Sequence, residues 1–338
     1  MNEKDYGVSN IYGNMSKVKE EKIPKVVTAK YKLLGGTTKT LVKRVGDGSI
    51  IQRFEKTPLP KEPTDVICPH FLELKWANGC PYRCAWCYLQ GTFRFHPMKK
   101  KPRQKDRKKI RLHLEGFMDH KGAREVLNSG ELSDSLMTEY SKEPFSEFIL
   151  PFFENQNKHK ILFLTKSNNV RNLLKQEENG QAVMSFSLNA ENVAKRWEKA
   201  PDINCRIKAV KETSDVGYET RIRIDPMVPY GDWTTAYKKL VDKIFSKLTP
   251  NRITIGSLRG LQSTINEAKD KSWVPYLTEW SNWGRKIAFN TRYDMYHALI
   301  EHLKENYNYN NIALCKETVE MWKMLGLDYV KIKCNCTT

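Results

Sequence analysis

Three cysteines within one short stretch constrain this chain more than any other feature of it. The run Gly79-Cys80-Pro81-Tyr82-Arg83-Cys84-Ala85-Trp86-Cys87-Tyr88 contains C-x₃-C-x₂-C. Three thiolates this close can bind three irons of a [4Fe–4S] cubane, and no fourth ligand is supplied locally. Ordinary four-iron clusters take four cysteines, so three leave one iron open to an exogenous ligand. Structural zinc is the competing reading. Zinc sites usually come as two C-x₂-C-like pairs that close a tetrahedron, whereas this triplet follows a single β-prone run and carries an aromatic residue before its third cysteine.

The rest of the chain must present such a loop on a framework. Short β-prone runs occur at Phe71–Trp76, weakly near Val126, and at Lys160–Thr165, Ala182–Leu188, Glu219–Ile224 and Arg252–Ile255. Helix-like stretches fall between them at Pro144–Asn155, Val170–Gln176, Ala190–Trp197 and Thr234–Leu248. Alternation of this kind predicts parallel strands with crossover helices, an α/β fold of the partial (β/α)₆ barrel type. In such barrels the chemistry sits at the carboxyl ends of the strands, which is where the cysteine loop falls. Residues 1–65 are polar, with paired glycines and several prolines, and read as an amino-terminal extension with a hairpin around Val42–Phe54. The barrel core is expected over 66–260, and 261–338 as a substrate-hairpin and cap region.

Composition narrows the partners. The 338 residues are 40 % hydrophobic and 28 % charged, with no apolar run of transmembrane length and no secretory apolar stretch in MNEKDYGVSN. A cytoplasmic protein without a membrane partner is the expectation. In that setting the eight cysteines read as metal ligands or redox groups rather than disulfides. A formal net charge of +18 favours nucleic acid as a partner, because cationic surfaces release counterions from phosphate backbones. The densest charge lies just after the cysteine motif, in MKKKPRQKDRKKIR at 98–111. Lys99, Lys100 and Arg103 are its candidate phosphate contacts; a merely solvated loop is the alternative.

An open iron can chelate the amino and carboxylate groups of S-adenosylmethionine (SAM). An electron passed from cluster to sulfonium then yields a 5′-deoxyadenosyl radical that abstracts hydrogen. At this point the residues resemble a known superfamily, since C-x₃-C-x-aromatic-C is the signature of the radical SAM enzymes. More narrowly, Ala77-Asn78-Gly79-Cys80-Pro81 through Cys87-Tyr88-Leu89-Gln90 is similar to the spore photoproduct lyases. Further matches follow in order: Phe163-Leu164-Thr165-Lys166, Phe186-Ser187-Leu188-Asn189-Ala190, Cys205-Arg206-Ile207-Lys208-Ala209 and Trp283-Gly284-Arg285. The resemblance covers roughly residues 70–300.

The resemblance implies roles position by position. Cys80, Cys84 and Cys87 would hold the cluster, and Trp86 would pack near adenine. Ser133 and Asp134 match a pair lining the SAM site, Lys166 a lysine on the methionine carboxylate, and Ser187 a serine on the same moiety. Tyr88 matches a tyrosine implicated in hydrogen-atom relay. Trp283 and Arg285 would stand on a hairpin that enters the DNA lesion site, although Lys286-Ile287-Ala288-Phe289-Asn290 departs from the glycine- and tyrosine-rich run of the family. A second departure is Glu131, which stands where the lyases place a hydrogen-donating cysteine. A carboxylate is a poor hydrogen-atom donor, and its expected task is a hydrogen bond to the SAM amino group.

Cys315, Cys334 and Cys336 are candidates either for an auxiliary Fe–S cluster or for a replacement hydrogen donor; Cys68 and Cys205 read as structural. The expected function is a carbon–carbon lyase acting on a thymine photoproduct or related DNA lesion, fed electrons by a flavodoxin or ferredoxin. A radical SAM enzyme modifying another base, nucleoside or peptide is the first alternative. A zinc-stabilised nucleic-acid-binding protein without catalysis is the second.

Overall fold

The computed structural model describes residues 22–176, 180–331 and 333–337. Residues 1–21, the first part of the expected extension over 1–65 and the stretch read as lacking a secretory segment, lie outside the described residues.

One sheet organises the molecule. Its ten strands are hydrogen-bonded in chain order: β1 (Val26–Lys32), β2 (Thr38–Val45), β3 (Ile51–Arg53), β4 (Leu72–Leu74), β5 (Val126–Asn128), β6 (Lys160–Thr165), β7 (Ala182–Leu188), β8 (Glu219–Met227), β9 (Arg252–Ser257) and β10 (Ile312–Leu314). Pairing from β4 through β10 is parallel throughout. The hairpin foreseen around Val42–Phe54 forms as β2 and β3, which with β1 extend the sheet antiparallel at the β4 side. Parallel strands are covered on both faces and so read as near-continuous apolar runs; β7, AVMSFSL, is buried at every position.

Crossover helices cover the outer face. They are α1 (Arg107–Met118), α2 (Phe145–Glu154), α3 (Glu191–Trp197), α4 (Ile203–Asp215), α5 (Trp233–Phe245) and α6 (Phe289–Tyr307). Aspartates start three of them. Asp106, Asp202 and Asp232 each accept a hydrogen bond from a first-turn backbone N–H through the side chain, which satisfies a donor the helix cannot. The segment Val170–Gln176, expected as a helix, closes only one 3₁₀ turn at Leu173–Lys175. Asn172 there turns its amide to the Glu139 carbonyl and carboxylate, at 3.1 and 3.0 Å. These hydrogen bonds anchor the segment to the Glu139 loop.

Two smaller pairings matter for the site. Glu279–Ser281 and Gly284–Lys286 form a hairpin with Trp283 in its turn. Val66–Ile67, just before β4, pairs antiparallel with Glu317–Thr318, just after β10. This second pairing ties together the chain on either side of the open seam between the first and last parallel strands.

Candidate active site

The cysteine loop leaves the carboxyl end of β4 through Trp76, whose indole N–H donates to the Ser129 carbonyl at 2.8 Å. Backbone hydrogen bonds then fix the loop on three sides. Gly79 N–H donates to Leu132 O at 2.8 Å, Cys80 N–H to Lys100 O at 3.0 Å, and Ala85 N–H to Trp197 O at 2.8 Å. Gly79 has φ +82°, and a Cβ there would overlap the carbonyl oxygens of Lys100 and Lys101. Only glycine meets both conditions.

The three thiols occupy one loop without crowding onto one point. Among the described residues no three His, Cys, Asp or Glu side chains are placed to hold a single metal ion. Zinc with sulfur at about 2.3 Å requires thiolates within about 4 Å of one another. A cubane takes each thiolate on a different iron and so spreads them wider, and the donor set of three soft sulfurs suits it. Burial pushes the Cys84 thiol up to about 12, with Lys166 opposing. Burial, then the nearby Asp134, raises Cys80 as well. Such thiols ionise only when a metal takes the place of the proton.

A cavity of about 300 Å³ opens beside the loop, lined by Cys84, Trp86, Cys87, Tyr88, Glu131, Lys166 and Trp283. Its size is that of a small-molecule pocket. Trp86 is 8 % exposed and stands against Trp197, ring centroids 5.7 Å apart. Tyr88 donates its hydroxyl hydrogen to the Glu131 carbonyl. The Lys166 ammonium pairs with the fully buried Glu198 carboxylate, which also takes Arg206 at 2.7 Å. Burial would raise Glu198, yet Lys166 and Arg206 hold it below the usual carboxylate range.

Several residues expected at the SAM site stand behind this lining. Asp134 accepts from Thr165 Oγ1 and the Lys166 N–H, both at 2.7 Å, and from Leu136 N–H at 3.0 Å. It thereby shapes the end of β6 from which Lys166 projects. Ser133 donates to Ser129 O at 3.4 Å, and Ser187 is buried in β7, its carbonyl accepting from Arg206. On the hairpin, Trp283 faces the cavity under the Lys316 ammonium, 3.6 Å from the ring centroid. Arg285 instead lies over the Trp280 ring at 4.6 Å.

The basic run divides in a similar way. Lys99, Lys100 and Lys101 line a groove of about 690 Å³ that reaches Cys84. Arg103, by contrast, donates to the Lys99 and Lys101 carbonyls at 2.9 and 3.2 Å.

Sequence reasoning missed a polar layer on the far wall of the cavity. Asp225 receives Arg259 at 2.7 and 2.9 Å and Arg223 at 3.1 Å. Burial would raise Asp225, but Arg259 and then Arg223 keep it ionised. Glu73 faces the same cavity and is pushed up to about 7 by burial and by Glu131. The signal was present in β8, where Arg221-Ile222-Arg223-Ile224-Asp225 alternates with period two and so puts three charges on one face.

An open parallel barrel with a three-thiol loop at the carboxyl end of its first parallel strand, and a cavity beside that loop, is the architecture of the radical SAM proteins. Residues 71–257 match the family model of spore photoproduct lyase, more than half of the chain, and the chain belongs to that family.

Among curated relatives, spore photoproduct lyase of Clostridium acetobutylicum is 25 % identical over 185 residues, 52 % of each protein. That of Bacillus subtilis is 24 % identical over 196 residues, 52 % of this chain and 51 % of the relative. The chain thus spans about half the length of the curated relatives it matches. The fold is similar to that of spore photoproduct lyase complexed with dinucleoside spore photoproduct, with a TM-score of 0.61 at 15 % identity over 72 % of this chain and 75 % of the other. A spore photoproduct lyase mutant with bound AdoMet and the same dinucleoside gives a TM-score of 0.59 at 15 % identity, again over 72 % and 75 %.

Proposed function

We propose that this protein is a radical SAM lyase that acts on a thymine photoproduct or a related lesion in DNA. The observation that carries the reading is the single cavity onto which Cys84, Cys87, Trp86, Lys166 and the hairpin residue Trp283 all open. Cys80, Cys84 and Cys87 would hold a [4Fe–4S] cluster. Cluster and SAM together supply one-electron bond cleavage and a hydrogen-abstracting radical. The chain's own residues supply binding and order. Trp86 offers a flat apolar face to the adenine, Lys166 a point charge to the methionine carboxylate, and Glu131 an acceptor for the amino group. Asp134 acts as a positioning residue through the backbone of Lys166. Tyr88, tethered to the Glu131 carbonyl, is the candidate hydrogen-atom relay. Trp283 would enter an unstacked lesion as an apolar wedge, and Lys99 and Lys101 would carry backbone phosphate from the neighbouring groove. A flavodoxin or ferredoxin is the proposed electron donor.

One observation favours a second substrate class. The strand after Trp283 is tied inward, because the Lys286 ammonium is buried and donates to Lys316 O at 2.8 Å and to Glu317 at 3.3 Å. That geometry suits a smaller base or nucleoside as well as a duplex lesion. Incubating the anaerobically reconstituted enzyme with dithionite, SAM and dinucleoside spore photoproduct should release the repaired dinucleoside. Formation of 5′-deoxyadenosine without repair would move the assignment to another base, nucleoside or peptide. Cys84→Ala should abolish SAM cleavage altogether; retained cleavage would overturn the ligand assignment.

A further inference from the structure

Four cysteines from three distant parts of the chain meet away from the cluster loop. Cys68, Cys315, Cys334 and Cys336 line a common cavity of about 30 Å³, together with Glu131, Arg223 and Lys316. No disulfide joins them. The topology brings them there by two separate devices. Pairing of Val66–Ile67 with Glu317–Thr318 sets Cys68 beside Cys315 across the open seam of the barrel. Asn335 is anchored among the strands: its side-chain amide N–H donates to Ser185 Oγ at 2.8 Å and Ile222 O at 3.0 Å, and its side-chain Oδ1 accepts from Thr254 Oγ1 at 2.8 Å. Arg252 and Arg221 bind the Cys334 and Asn335 carbonyls, at 2.7 and 2.8 Å. The residues flanking Asn335, Cys334 and Cys336, are thereby held in the same cavity.

These sulfurs are surrounded by N–H donors, as cluster-bound sulfurs are. Arg223 donates to Cys315 Sγ at 2.9 Å and to Cys336 Sγ at 4.0 Å. Arg259 reaches Cys315 at 3.4 Å, Lys316 reaches Cys68 at 3.6 Å, and Asn128 reaches Cys336 at 3.7 Å. A neutral thiol is a weak acceptor, so five N–H donors trained on three sulfurs would be poorly satisfied by thiols. Local charge agrees. Arg223, Arg259 and Lys316 meet only Asp225 and Glu131 among the acidic side chains of this region. Four thiolates on an iron–sulfur core of charge about +2 would add about two negative charges and more than offset that surplus.

We infer that Cys68, Cys315, Cys334 and Cys336 form a second, four-cysteine centre, separate from the SAM loop, that holds a compact iron–sulfur core. The cavity is too small for an organic cofactor. As placed, no three of the four sulfurs share a single-ion sphere. Cys334 and Cys336 stand at the two ends of the anchored tripeptide, and Cys68 and Cys315 line the same cavity from the seam. The centre stands behind the catalytic cavity, since Glu131, Arg223 and Lys316 line both. Its assembly is independent of which substrate that cavity takes.

The test removes the first cluster and asks what metal remains. The full-length variant Cys80→Ala/Cys84→Ala/Cys87→Ala, purified anaerobically from cells supplied with iron and zinc, should retain about two to four irons with matching sulfide per chain; zinc without iron would overturn the iron–sulfur assignment. Native alkylation with mass mapping should mark the exposed Cys205 and spare the four inferred ligands until a chelator strips the metal. Adding Cys334→Ser and Cys336→Ser should lower bound metal at least tenfold. Less than about a tenth of an equivalent of metal in the triple variant would overturn the centre; so would metal that survives the two serine changes. If the serine variant does not fold, the alkylation pattern decides. Four thiols whose labelling is the same before and after chelation would show that they bind nothing and would overturn the centre.

Discussion

At the residue scale, the cluster loop depends on a position that carries no chemistry. Gly79 turns the chain with a positive φ, and its α-carbon lies against the Lys100 and Lys101 backbone. Alanine would bring left-handed strain, roughly 1–3 kcal/mol, together with an overlap that only backbone movement can relieve. The hydrogen bond from Cys80 N–H to Lys100 O would break first. Gly79→Ala should therefore leave the barrel folded by circular dichroism while at least halving the iron that the loop retains on reconstitution. Full iron occupancy would show that the loop tolerates the shift. The grouping of Cys80, Cys84 and Cys87 on one loop was legible in the sequence because their spacing is itself the signal. Cys68 was not, since it lies far along the chain from Cys315 and nothing local marks it. Only the pairing across the barrel seam makes them neighbours.

At the scale of elements, strands are easier to read than helices. β6 and β7 have the bounds that their apolar runs suggest, because strands buried on both faces need no alternation. α4 does not announce itself as a helix by its pattern, and Arg206 shows why. This arginine occupies a core-facing position at 1 % exposure, so the apolar stripe expected of a covering helix is interrupted there. Its partner is Glu198, at the carboxyl end of α3, and the same carboxylate holds Lys166, just after β6. Three elements thus meet on one buried charge cluster. Arg206→Leu would leave Glu198 buried with a single cation, and breaking a buried pair from one side costs about 3–5 kcal/mol. Urea unfolding of the apo variant should show a loss of that order. A loss below about 1 kcal/mol would mean that Lys166 alone satisfies the carboxylate.

At the scale of the whole molecule, the charge of +18 is organised at a site. Arg83, Lys99, Lys100, Lys101, Arg196, Lys199 and Lys269 line the groove that reaches Cys84, against Glu267 and Asp270. Asp270 is engaged by Ser272, while Glu267 stands 3.7 Å from Lys99. On the proposed reading, a groove with this excess of cations beside the cysteine loop would carry the phosphate backbone of a bound nucleic acid. Each phosphate contact adds about 0.9 to the slope of log affinity against log salt on duplex DNA, and about 0.7 on single strands. Lys100 is tied to the Tyr82 carbonyl, so the informative changes are Lys99→Gln, Lys101→Gln and Lys269→Gln together. They should weaken DNA binding at low salt and reduce the slope by about 2 to 3. As a control, Lys208→Gln with Lys211→Gln removes two α4 lysines that already pair with acids one turn on, and should leave the slope unchanged. Equal slopes for the groove variant and the parent would remove the groove from the DNA path and leave the excess charge a property of the surface at large.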